Sequence, residues 1–176
     1  MHKARKMLIQ NERNLRTASR DGNADEVRMI LFEEMVDINN EWGLAKNGTT
    51  FLCMAAQNGH LEVLKLLVDG HADPNKANNN AMQCKRTPLH FAAMWGDIEV
   101  VEVLLDRGAE PDKADISGWT PLHWSALMGH INVIEKLLGR GANPEITNLA
   151  GETPLYVAKF PGMMTDVINN HHHLRK

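Results

Sequence analysis

The sequence has little that would mark a membrane, secreted or catalytic protein. Its first ten residues, MHKARKMLIQ, hold one apolar run, Met7-Leu8-Ile9, too short for a signal-peptide core and far too short to span a bilayer. The expected compartment is therefore the cytosol or nucleus, with no membrane partner. Only two cysteines occur, Cys53 and Cys84, and without an export signal they are expected to be reduced thiols rather than a disulfide. No Gly-x-x-x-x-Gly-Lys-Ser/Thr phosphate loop and no Gly-x-Ser-x-Gly nucleophile turn is present. His171-His172-His173 has no Cys, Asp or Glu close by, so it reads as part of a polar tail over 169–176 rather than a metal site. The expectation is a protein that is not an enzyme and takes no cofactor, metal or small-molecule substrate.

Net charge is also small, −3, but unevenly placed. Residues 1–20 hold six of the 19 basic side chains and one of the 22 acidic ones, leaving 13 against 21, a balance of −8, for the rest. The body is acidic, which argues against a duplex nucleic-acid footprint on it. Residues 1–13 read as a basic N-terminal arm or the start of a first helix.

What the sequence does have is a repeat. Thr87-Pro88-Leu89-His90 recurs 33 residues later as Thr120-Pro121-Leu122-His123, and after 33 more as Thr153-Pro154-Leu155-Tyr156. Between the anchors, Phe91-Ala92-Ala93-Met94-Trp95-Gly96 aligns with Trp124-Ser125-Ala126-Leu127-Met128-Gly129, and Asp106-Arg107-Gly108-Ala109 with Gly139-Arg140-Gly141-Ala142. An earlier copy begins at Thr50, 37 residues before Thr87, and a fainter one holds Ala18-Ser19-Arg20-Asp21-Gly22. Each copy predicts two short helices. Thr is a good N-cap and Pro suits the first helical position, whose N–H is not needed. Gly129 allows a tight turn, after which Ile131, Ile134, Leu137 and Leu138 follow at helical spacing, as do Ile98, Val101, Leu104 and Leu105, and Leu61, Leu64, Leu67 and Val68. Gly108 and Gly141 stand where the chain leaves the second helix in a left-handed conformation. His71 replaces glycine there in the second copy, so either His71 itself or Gly70 must make that turn. A single unit cannot bury its apolar face, and stacking does so on both sides.

Thr-Pro-Leu-His-x-Ala-Ala-x-x-Gly with a period of 33 resembles the ankyrin repeat. The resemblance implies an all-α solenoid of helix-turn-helix units with β-hairpin-like fingers and a concave groove. It covers residues 14–168 as repeats at about 14–39, 47–77, 84–114 and 117–147, with a truncated fifth at 150–168 whose pattern is lost at Phe160-Pro161-Gly162. It also implies that His90 and His123 tie neighbouring repeats together through backbone hydrogen bonds, His60 and His130 reading likewise as structural, and that Phe91 and Trp124 belong to the scaffold. The longer connections at 39–50 and 73–87 are expected to be extended or disordered finger tips, including Glu41-Trp42-Gly43-Leu44-Ala45-Lys46 and Asn78-Asn79-Asn80-Ala81-Met82-Gln83-Cys84, and a second contact region.

By the same resemblance, partner contacts come from the seventh and eighth residues after each anchoring Thr and from the residue before it. These are Gln57, Asn58, Met94, Trp95, Leu127, Met128 and Phe160, with Thr49, Arg86, Trp119 and Glu152. Large apolar side chains at surface positions mark interaction sites, and Trp, Arg and Met are suited to them. The expected function is a monomeric protein-protein interaction module of scaffold or adaptor type, or alternatively a regulatory inhibitor that masks a site on an enzyme or transcription factor. The resemblance also implies a modification site: ankyrin repeats in animals are, as a class, asparagine-hydroxylated in the loop after the second helix, and Asn75, eight residues after Leu67, looks like such a site.

Overall fold

The computed structural model describes residues 2–32, 36–39, 48–79 and 84–174, with side chains described from residue 6 to residue 170 within those stretches. Five helix pairs follow one another: α1 (His2–Asp21) and α2 (Ala24–Phe32), α3 (Phe51–Gln57) and α4 (Leu61–Asp69), α5 (Pro88–Trp95) and α6 (Ile98–Asp106), α7 (Pro121–Met128) and α8 (Ile131–Gly139), α9 (Pro154–Val157) and α10 (Pro161–Leu174). Each first helix packs on the next first helix, and each second helix on the next second helix. The result is a two-layer solenoid.

Local chemistry sets the helix ends. The Thr50 hydroxyl accepts from the Cys53 N–H at 3.1 Å, and Thr120 and Thr153 cap α7 and α9 in the same way. Pro88, Pro121 and Pro154 each open their helix at its first residue. At the other end, Gly96 and Gly129 close α5 and α7 at φ 75° and 79°, a region costly for any residue with a Cβ. The second helices carry repeated four-residue seats: Val63, Leu64, Leu67 and Val68; Val100, Val101, Leu104 and Leu105; Val133, Ile134, Leu137 and Leu138, all buried. At about 1.5–3 kcal/mol for each large apolar side chain removed from water, these seats hold the stack together jointly with Phe51, Leu52, Leu89, Phe91 and Leu122 of the first helices.

One open alternative is decided and several finer expectations are revised. His71 itself takes the left-handed turn, at φ 68°, while Gly70 stays at φ −79°. The fifth unit is compressed at its first helix, and its second helix is complete. Helix α9 lasts one turn, and Phe160-Pro161-Gly162 begins α10 instead of breaking a helix, because proline at a first helical position removes no needed N–H. Met164 and Val167 then bury against the preceding repeat. The helix continues to Leu174, so the polar tail at 169–176 is helical as far as it is described. At the other end, α1 absorbs the basic N-terminal stretch into a single 20-residue helix. The fingers are tight turns, with no strand among the described residues. Glu41–Lys46 and Asn80–Gln83 lie outside those residues.

Candidate functional site

The fingers are built on one recurring pair of positions. Asp115 N–H donates to the Trp119 carbonyl at 2.8 Å, and Asp115 Oδ1 accepts from the N–H groups of Ser117 and Trp119. Asn148 does the same with Glu152, and Asn78 with Arg86 across the four inserted residues. Neighbouring fingers join through Ile116 N–H to the Cys84 carbonyl and Leu149 N–H to the Ser117 carbonyl. Ile116 and Leu149 stand at these tips 60% and 81% exposed. Reading only the residue before each threonine misses them; the matching tip register of Ile116 and Leu149, 33 apart, is the signal that marks them.

The histidines join fingers to helices. His90 Nδ1 faces the Thr87 N–H at 3.1 Å and must accept, so Nε2 carries the proton and donates to the Trp119 carbonyl at 3.0 Å. His123 repeats the arrangement between Thr120 and the Glu152 carbonyl. Burial pushes the His90 pKa down to about 4, only partly opposed by the hydrogen bond to the Trp119 carbonyl, and lowers that of His123 as well. Both are therefore neutral structural clamps. His60 and His130 reach back instead, with Nε2 on the carbonyls of Arg20 at 2.8 Å and Met94 at 3.1 Å. Cys53 and Cys84 are free thiols, and burial raises the Cys53 pKa to about 12.

Against this frame of clamps the candidate partner-binding residues divide into two groups. Trp95 is 60% exposed, while Met128, at the same register one repeat on, and Leu127, at the register of Met94, are 38% and 37% exposed. Met94 is half-buried beside Trp95. In the second repeat Gln57 is half-buried, and Asn58 is exposed, with its amide on the Met54 carbonyl. Phe160 is also exposed, lying against Gly129 with Lys159 over its ring.

Arg86 and Trp119 are instead built into a stack between repeats. The Arg86 guanidinium lies 4.1 Å from the Trp124 ring centroid, and the Trp119 ring packs 4.8 Å from the same ring. Asp115 faces Arg86 at 3.6 Å, with their side chains 1% and 19% exposed. Trp124 was expected in the scaffold; it is half-buried, with a buried indole N–H that has no protein acceptor. Thr49 is buried, and Glu152 is half-buried, with its carboxylate on the Asn148 amide.

A family model described as ankyrin repeats (3 copies) matches residues 15–115 and again 71–148. The chain belongs to the ankyrin-repeat family. Ankyrin repeats are in general protein-protein interaction modules and typically non-catalytic. A comparison with curated proteins finds no match. Among the described residues no helix is long and apolar enough to cross a membrane, and no group of His, Cys, Asp and Glu could hold a metal ion.

Asn75 lies in an ankyrin turn and is held at both ends of its amide. Nδ2 donates to the Gly108 carbonyl at 2.9 Å, and Oδ1 accepts from the Glu110 N–H at 2.7 Å. Asn39 clasps His71 and Asp73 in the same way. In the next repeat Asp112 keeps only the accepting arm, to the Asn143 N–H.

Proposed function

We propose that this chain binds a partner protein through its first-helix face, centred on the third and fourth repeats, with Met94, Trp95, Leu127 and Met128 as the principal contacts. The observation that carries this reading is the exposure of Trp95 and Met128 at equivalent positions of stacked helices, with Leu127 exposed beside Met128. Water-exposed apolar side chains in register form a patch, and such patches mark interaction sites. The exposed tips Ile116 and Leu149 extend the contact toward the fingers, where Arg86 and Trp119 stiffen the surface. The role is that of a monomeric, non-catalytic adaptor of the cytosol or nucleus.

The test replaces Trp95 and Met128 by Ala and compares proteins captured by the two chains, identified by mass spectrometry. Loss of an aromatic anchor costs about 2 kcal/mol or more of binding, enough to empty the capture of its specific partner. The thermal unfolding midpoint should fall only slightly, since Trp95 is mainly in solvent and Met128, 38% exposed, gives up part of its packing. An unchanged set of captured proteins would overturn the reading, and a large fall in midpoint would show that the pair belongs to the core. Asn75 hydroxylation forms a separate part of the proposal. Its Cβ lies in a turn tied by two hydrogen bonds, so an oxygenase would act on a locally opened turn, and one added oxygen on the Asn75 peptide is the expected mass change.

A further inference from the structure

Two residues before the turn glycine, where Gln57, Met94 and Leu127 stand in later repeats, the first repeat has Arg20. Residues seven apart on a helix share a face, so Arg13 and Lys6 continue this position along α1, with Arg16 one turn from Arg20 on an adjoining line. Lys6, Arg13 and Arg20 are exposed and Arg16 is half-buried. Arg20 is paired to the neighbouring Asp21 at 2.6 Å. Lys6, Arg13 and Arg16 have no ion-pair partner among the described residues, whereas the second helices are laced by pairs between repeats. The first-helix face therefore passes from a cationic end on α1 to an apolar centre on α5 and α7.

We propose that the occupant of this face is a bipartite peptide segment of a protein, rich in Asp and Glu where it crosses α1 and apolar where it crosses α5 and α7; this rests on reading the face as an interaction surface. Charge complementarity selects this occupant. Carboxylates meet a row of unpaired cations at α1, where Lys6, Arg13 and Arg16 lie, whereas the chain beyond residue 20 carries −8 and on balance repels an acidic segment, Lys159 at the far end of the face lying over the Phe160 ring. A nucleic acid would need cations along its whole path, and Gln57, Asn58, Met94, Trp95, Leu127 and Met128 supply none. A membrane surface would need a continuous free apolar face on α1, and among the described residues only Met7 and Leu8, near its start, are exposed large apolar side chains there, while Leu15 and Ala18 are buried in the core. With neighbouring helices about 8–10 Å apart and an extended chain rising about 3.3 Å per residue, the acidic and apolar parts are separated by roughly six residues.

The experiment selects peptides of about twelve random residues, long enough to span that separation, on the 176-residue chain. Expected is enrichment of Asp and Glu toward one end and of large apolar residues toward the other. Selection on the Lys6→Gln/Arg13→Gln/Arg16→Gln variant should lose the acidic enrichment and keep the apolar one. The best wild-type peptide should bind this variant about tenfold more weakly, as for three exposed ion pairs, and its affinity should fall less as salt is raised. Apolar enrichment without acidic enrichment overturns this proposal and leaves the interaction surface standing. Acidic peptides that bind the Trp95→Ala/Met128→Ala variant as well as wild type overturn the surface reading and the bipartite proposal with it. Tighter binding of a single-stranded oligonucleotide or of vesicles containing anionic lipid, lost in the charge variant, likewise overturns it.

Discussion

At the scale of single residues, the clamps between repeats make two sharp predictions. His90 is held neutral by burial, with a pKa near 4 against 6.5 for a free imidazole. Its stability contribution is therefore complete above pH 6.5 and is lost as pH falls toward 4, because the unfolded imidazole gains a proton that folding must release. The loss across that window is about 3 kcal/mol, with His123 adding in the same direction. Urea unfolding at pH 7 and pH 4.5 should show a steep decline for the wild type. The His90→Gln variant should start lower at pH 7 and decline less. The turn asparagines give the second prediction. Asp112 lacks the donor by which Asn75 reaches the carbonyl of Gly108, so Asp112→Asn should bond Gly141 and raise stability by about 0.5–1.5 kcal/mol, measured by the urea midpoint. Asn75→Asp should lose a similar amount. A histidine at the turn of the second repeat was visible in the sequence, and the asparagine clasp was not, since its partners lie one repeat away.

At the scale of elements, helices α5 and α7 were legible because three local signals agree: threonine before proline at the start, small residues within, and glycine at the end. Helix α10 was not, because Pro161-Gly162 offers proline at a helix start without a Thr cap before it, and the same residue type marks breaks and beginnings alike. Phe160 also takes over a packing duty: it lies on Gly129 as the His130 ring lies on Gly96, which lets α10 start eight residues after Thr153 where α8 starts eleven after Thr120. Of the candidate site, exposed Trp95, Leu127 and Met128 could be placed from register alone. Arg86, Trp119 and Trp124 could not, since their stack needs side chains from two repeats to meet. The end of α4 supplies a prediction at this scale. His71 is exposed and holds φ 68°, a conformation that penalises a Cβ, so His71→Gly should raise the thermal midpoint by an amount equivalent to about 1 kcal/mol. A fall in midpoint would mean that the imidazole contributes more than the strain removed.

At the scale of the whole molecule, stability is a sum over neighbours, because each repeat packs on the repeats next to it in both layers. Yet the neighbours are not interchangeable. Arg107 pairs with Asp69, Arg140 with Asp106 and Lys136 with Glu102, each basic side chain reaching back to the repeat before it. Exposed pairs of this kind are worth only a few tenths of a kcal/mol each, so they matter less for cohesion than for order. A copied third repeat, residues 84–116, would present Asp106 to the Arg107 of its twin and Asp106 again to Arg140, and the chain should lengthen with a higher urea midpoint. A copied fourth repeat, residues 117–149, would set Arg140 against Gly139 but Lys136 against Glu135, so one ion pair again crosses the new junction and a similar gain is expected. From the second repeat to the fourth the second-helix surface thus reads in one direction, while Arg28 of the first reaches forward to Glu62, and the solenoid has a grammar as well as a length.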